Sequence, residues 1–278
     1  MPGAGATRLG QVARKLICPD KWTDGYPGPD AYVTELDVLL KFADERGCLY
    51  RFVPTLESRD KQRDEAINEL RLAYLLDSLG FTIVGWDPPG ANGKKGQFTL
   101  ESPEKVQIFT EIKSPGWESE LSPKARAAGR TKEPKYKGLA GGAVGNWRPV
   151  HRCISSEKTY PKFTDNQSNL LIISDDLFLK LFYSLFQVEG ALYGPKQHYE
   201  QDGYFTTNQF ENIGGLGIFN CESNYSVRGI SYEFIVYENH SALPATKLPP
   251  SLLKFTERLS CAVRGTQTRT GGMDSSYW

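Results

Sequence analysis

Residues Glu65–Lys113 read EAINELRLAYLLDSLGFTIVGWDPPGANGKKGQFTLESPEKVQIFTEIK, and this stretch decides the fold. Its opening belongs to a helix predicted over Asp60–Leu79. There Ala66, Leu70, Ala73, Leu76 and Leu79 recur at helical spacing on one face, and Gly80 supplies the stop. Phe81–Trp86 (FTIVGW) then reads as a strand, and DPPGANGKKG as a turn-rich loop. Gln97–Leu100 and Val106–Lys113 read as a hairpin around ESPEK. The second hairpin strand alternates, with Ile108, Thr110 and Ile112 on one face and Phe109, Glu111 and Lys113 on the other.

Working outward, Tyr32–Arg46 carries Leu36, Leu39, Leu40 and Phe42 at helical spacing, with Thr34 as start signal and Gly47 as stop. Downstream, Ser155–Thr164 reads as a helix and Asn169–Ser174 (NLLIIS) as a buried strand. Asp175–Gly190 reads as a helix with Leu177, Leu181, Leu185 and Val188 inward, Gly217–Cys221 and Tyr232–Tyr237 as strands, and Ser251–Val263 as a closing helix. Helices alternating with strands predict an α/β fold, a central mixed sheet with helices on both faces. Ser114–Arg152 shows little apolar period and reads as a long insertion. The expected organisation is an N-terminal arm over residues 1–30, one α/β domain over 31–264 and a disordered tail over 265–278.

Across 278 residues, 33 Lys+Arg balance 33 Asp+Glu. A zero net charge excludes a uniformly basic nucleic-acid coat and leaves room for a local basic site. The cysteines Cys18, Cys48, Cys153, Cys221 and Cys261 form no CxxC pair, which argues for reduced thiols, a cytoplasmic location and no zinc site. MPGAGATRLGQVARKLICPD has no apolar stretch of secretory length. Leu170–Ser174 and Leu177–Val188 fall far short of the roughly 20 residues that span a bilayer, so no membrane partner is expected.

The chemistry concentrates at Glu111-Ile112-Lys113. Two residues apart on a strand, Glu111 and Lys113 share a face. A carboxylate there can hold a hard cation, and an ammonium beside it can steady an anionic transition state. The alternative is a solvated strand end with an ion pair. Other features are bland: GLAGGAVG at Gly138–Gly145 and GGLG at Gly214–Gly217 read as flexible turns, and His151, His198 and His240 are isolated. Asp175-Asp176 reads as a helix cap. Lys158 and Lys162 lie where a helix could turn them toward the site or toward solvent.

The order of helix acid, strand, Gly/Pro loop, GQFTL and a strand ending in EIK resembles the PD-(D/E)XK nuclease superfamily, over roughly Asp60–Asp176. The resemblance implies a restriction-endonuclease-like core with long insertions. It implies catalytic roles for Glu69 (with Glu65 one turn earlier as fallback), Glu111 and Lys113, and Mg²⁺ or Mn²⁺ as cofactor on Glu111, Glu69 and the hairpin position. That position carries Asp in the family and Gln97 here, which removes a charge from the site; Asp87 in the preceding loop is the candidate substitute. The implied reaction is metal-assisted phosphodiester hydrolysis, of DNA by family habit, in restriction or phage defence among other settings. A homodimer or partner subunit would suit cutting both strands.

Local charge agrees with a polyanionic partner. Ser122–Lys137 (SPKARAAGRTKEPKYK) sets Lys124, Arg126, Arg130, Lys132, Lys135 and Lys137 against Glu133 alone, with Arg148 and Arg152 following and Tyr136 and Trp147 able to stack on bases. Its alternative is a solvated charged loop. Three functions therefore stand: a metal-dependent nuclease; a nuclease-like module that has lost catalysis through Gln97 and binds nucleic acid or protein; and an unrelated α/β protein in which EIK is accidental.

Overall fold

A computed structural model describes residues 29–56, 61–113, 150, 153–156, 159–174, 185–194, 203–224, 229–253, 256–262 and 267–270. The chain opens with α1 (Pro29–Glu45), α2 (Leu49–Leu56) and α3 (Lys61–Ser78). Strands β1 (Thr82–Trp86), β2 (Phe98–Glu101), β3 (Gln107–Lys113) and β4 (Ser168–Ser174) follow, then α4 (Leu185–Tyr193), β5 (Gly215–Asn224) and β6 (Gly229–Glu238). A single turn of helix, α5 (Pro250–Leu253), precedes β7 (Thr256–Ala262) and β8 (Gln267–Thr270). This is the α/β fold expected, built on one mixed sheet of eight strands in sequence order. β1, β2 and β3 form an antiparallel meander, β3, β4 and β5 run parallel, and β5 to β8 return to antiparallel pairing.

Side-chain alternation sorts the sheet into two cores. On one face Leu36, Leu39 and Leu40 of α1 and Leu70, Ala73 and Leu76 of α3 pack with Phe98, Leu100, Ile108, Leu170, Ile172, Tyr232 and Phe234. On the other, Phe109, Leu171, Ile173, Leu216 and Ile218 pack with Val188, Ala191 and Leu192 of α4 and with the turns carrying Phe163 and Phe205. Every residue of β4 is buried, as its unbroken apolar run requires of a strand covered on both sides. α3 ends as its sequence dictates: Gly80 takes φ +90° and the Phe81 N–H returns to the Leu76 carbonyl at 3.1 Å.

One polar network lies within the first core. Arg71 of α3 grips Glu35 of α1 through two bonds of 2.7 and 2.6 Å, the Tyr232 hydroxyl of β6 donates to the same carboxylate, and Arg71 also donates to Asn68 at 3.1 Å. The bidentate fork pairs a charge that could not otherwise be buried.

Several expectations are corrected. α1 starts at Pro29 rather than near Thr34, since proline suits the first helical turn. α2 has no counterpart in the sequence reading, because its Leu49–Leu56 segment is short and contains Pro54. Over Ser155–Thr164 the described residues hold a 3₁₀ turn at Tyr160–Lys162, and Phe163 is already extended. The closing helix is α5 alone; Thr256–Ala262 forms β7, and Gln267–Thr270, assigned to a disordered tail, pairs with it as β8. Gly214–Gly217 is not a flexible turn but the packed start of β5, where a Cβ on Gly214 would sit 2.0 Å from the Thr246 carbonyl oxygen. The first part of the Asp175–Gly190 helix lies outside the described residues. Among the described residues no helix is long and apolar enough to cross a membrane.

Candidate functional site

The candidate residues lie on both faces of the β1–β2–β3 meander, Glu69 with Gln97 and Asp87 on the side of α2 and α3, Glu111 with Lys113 on the other. Glu111 is fully buried near the C-terminal end of β3. Lys113, two residues on along the same face, places its Nζ 2.5 Å from Glu111 Oε1. A second ammonium, Lys162 Nζ, reaches the same oxygen at 2.6 Å. Lys162 comes from the 3₁₀ turn Tyr160–Lys162, and the adjoining Phe163 ring packs edge-on against Phe109 of β3 at 5.8 Å between centroids. The side-chain alternation of β3 and the burial of Phe163 thus bring the two lysines to one carboxylate.

The loop between β1 and β2 braces this arrangement. Asn92 donates to the Pro161 carbonyl at 3.2 Å. Gly90 and Gly96 lie so close to the Phe109 ring that a Cβ would come within 2.9 and 2.4 Å of it, and a Cβ on Gly90 would meet the Lys162 carbonyl oxygen at 2.6 Å. Both glycines are required by close approach.

A second cluster forms on the α3 side of β2. Arg51 of α2 donates from Nη2 and Nε to Glu69 Oε1 at 3.0 and 3.3 Å, and its Nη1 pairs with Asp87. The guanidinium lies 5.0 Å from the Trp86 ring centroid. Gln97 donates from Nε2 to Glu69 Oε2 at 2.8 Å. Because the acceptor is a carboxylate, the Gln97 amide must turn its NH₂ toward it. Burial pushes the Glu69 carboxyl above its usual range, opposed by the Arg51 charge and the Gln97 hydrogen bond. Burial also works against the Arg51 charge, but Glu69 and Asp87 outweigh it and raise the guanidinium further.

Gln97 links the clusters: its N–H donates to the Thr110 carbonyl, next to Glu111, at 2.9 Å. α3 itself packs on the face bearing Ile108 and Ile112, so Glu111 leaves the sheet on the face opposite α3. The structure joins Glu69 with Gln97 and Asp87, and Glu111 with Lys113 and Lys162. Among the described residues no group of three or more His, Cys, Asp or Glu could hold a metal. Both oxygens of Glu69 carry hydrogen bonds from the chain. Glu111 Oε2, by contrast, is buried without a hydrogen-bond partner among the described residues. A single carboxylate oxygen suits Mg²⁺, which is commonly held by one or two carboxylates and completed by water and substrate phosphate oxygens.

Glu65 is exposed, and His240 is an exposed residue stacked on Tyr193 at 6.0 Å. Lys124, Arg126, Arg130, Lys132, Lys135 and Lys137 lie outside the described residues, as do Tyr136, Trp147, Arg148, Arg152, Lys158, His151, His198 and Asp175-Asp176. Arg51 escapes a reading of the sequence because its partners stand 18 and 36 positions away and nothing local marks it.

The chain matches no protein-family model and no curated protein. Among solved structures, the central domain of yeast acetyl-CoA carboxylase aligns over 72% of this chain and 26% of its own, at 13% identity and a TM-score of 0.27, a likeness that carries no argument about function.

Proposed function

We propose that this chain is a metal-dependent nuclease of the PD-(D/E)XK type that hydrolyses phosphodiester bonds of DNA. The observation that carries the reading is the buried Glu111 carboxylate, with two ammoniums on Oε1 and, among the described residues, no donor on Oε2. A site for plain phosphate binding gains nothing from a carboxylate, which repels the ligand and neutralises a lysine. An orphaned buried oxygen is also costly, by about 1–3 kcal/mol, unless something fills it. The order of α3, the antiparallel β1–β2–β3 meander and the parallel β4 gives further support.

In this reading Glu111, through Oε2, would hold Mg²⁺ or Mn²⁺, which would supply Lewis acidity. Glu111 also holds both lysines in place. Two ammoniums on one carboxylate leave a net positive charge that draws the phosphodiester toward the end of β3. Lys113, at 30% side-chain exposure, is the one set to orient an attacking water or meet developing charge on phosphate; Lys162, at 16%, sits deeper and holds Glu111. Glu69, fixed by Arg51, orients the Gln97 amide beside β3.

A second reading, a nuclease-like module that has lost catalysis, is favoured by the neutral Gln97 and by the filled oxygens of Glu69. Incubation with supercoiled plasmid, linear duplex, single strands and RNA, each with Mg²⁺, Mn²⁺ or EDTA, separates the two. Metal-dependent cleavage abolished by Glu111→Gln and Lys113→Ala, with folding intact, is the expected result. DNA binding that persists in EDTA, with no substrate cut under any condition, would establish the second.

A further inference from the structure

We infer that Arg51 is the resident cation of the Glu69–Asp87 carboxylate pair, so that this pair takes no divalent ion of its own. The two carboxylates come from different elements, α3 and the turn after β1, and converge on one guanidinium. Asp87 reaches it from a left-handed backbone, φ +51°, a conformation held at some energetic cost in a non-glycine residue. Arg51 itself is preorganised. Its side chain is only 20% exposed, its neighbour Phe52 is buried in the core, and the Trp86 and Phe52 rings lie 5.0 and 6.0 Å from the guanidinium.

Geometry then excludes an ion from this pair. Glu69 Oε1 faces Arg51 and Glu69 Oε2 faces the Gln97 NH₂, so an arriving cation would meet donors at both oxygens. Without the guanidinium, the same carboxylates would present two charges to a hard cation, which is the usual condition for its capture. Arg51 is thus a positioning residue: it holds Glu69 ionised, and Glu69 in turn sets the Gln97 amide.

The inference rests on the nuclease reading only for the ion at Glu111, and the test reads the two sites apart. Mn²⁺ is titrated into the full chain by calorimetry, with bound Mn²⁺ counted independently by electron paramagnetic resonance. Expected results are no change in stoichiometry for Asp87→Asn alone, one additional ion for Arg51→Gln, and loss of that ion when Asp87→Asn is added. Glu111→Gln should remove its own ion and leave the gain in Arg51→Gln untouched. If Mn²⁺ fails to bind at Glu111, the nuclease reading suffers and the Arg51 result still stands. Unchanged stoichiometry in a folded Arg51→Gln would overturn the inference, as would loss of an ion from Asp87→Asn in the presence of Arg51. Arg51→Gln is chosen over alanine because it removes the charge and keeps a polar side chain; should it still unfold, Arg51→Lys, a cation too compact to fork, is expected to leave the stoichiometry unchanged, and an extra ion there refutes it.

Discussion

Lys162 Nζ lies 2.6 Å from Glu111 Oε1, although 51 residues separate the two in the chain. The contact joins the end of β3 to the turn that leads into its parallel neighbour β4. It gives the Glu111–Lys113 pair a third member that strand alternation alone does not supply.

Lys162→Ala should therefore weaken cleavage without abolishing it. Removal of one charged donor from a preorganised site lowers kcat by about 10²-fold. Single-turnover cleavage of linear duplex checks this, with Lys113→Ala as the more severe comparison.

Gln97→Glu should destabilise the protein in the absence of metal, since it sets a carboxylate where an N–H now donates to Glu69. Like charges push the Glu69 carboxyl, already raised by burial, higher still. An acid whose folded value is raised contributes stability that is present at low pH and lost as pH rises through that value. At neutral pH the loss relative to the unchanged protein should thus be about 1.4 kcal/mol for every tenfold weakening of the Glu69 acid, and it should vanish below the ordinary carboxylate range. Urea melts at several pH values, with and without Mn²⁺, measure it.

Glu35→Ala should be among the most damaging core substitutions, at about 3–5 kcal/mol, because it strands the Arg71 charge inside the protein. Tyr232→Phe removes only one donor from the same carboxylate and should cost about 1 kcal/mol. Denaturant unfolding of both variants gives the ratio.

Gly90→Ala should disturb the site from a distance. The added methyl would meet the Lys162 carbonyl oxygen at 2.6 Å and the Phe109 ring at 2.9 Å. Backbone cannot yield as a flexible side chain would, so a loss of about 1–3 kcal/mol is expected, with lower cleavage. Gly93→Ala is the control: no atom stands within 4 Å of its Cβ, though its φ of +69° carries a modest strain of its own.

Glu104 caps α5 through Ser251, accepting from its backbone N–H at 3.0 Å and its hydroxyl at 2.6 Å. The Ser251 hydroxyl bond holds the Glu104 carboxyl below its usual range. A lowered folded value means stability that is present above the unfolded carboxylate value and lost as pH falls through the folded one. Glu104→Gln should therefore lower the melting temperature slightly at neutral pH and leave it unchanged under strong acid.

Local pattern carried the elements that pack by their own periodicity. The apolar stripe of Ala66, Leu70, Ala73 and Leu76, the alternation of β3 and the unbroken NLLIIS run each state which face must leave water. Glu111 and Lys113 were legible for the same reason: period two puts them on one face wherever the strand lies. The C-terminal region was not, because TERLSCA satisfies helical and strand patterns alike until β6 offers an edge to pair with.

What the sequence determined by itself was thus the α/β class, the helix and hairpin around the site, and the pairing of one acid with one lysine. Tertiary structure alone decided that Lys162 joins Glu111, that Arg51 bridges Glu69 and Asp87, and that Gln97 spends its amide on Glu69. These contacts join residues 18 to 51 positions apart. Such pairings depend on where the sheet and its crossing loops bring the chain back together, and no local period encodes that.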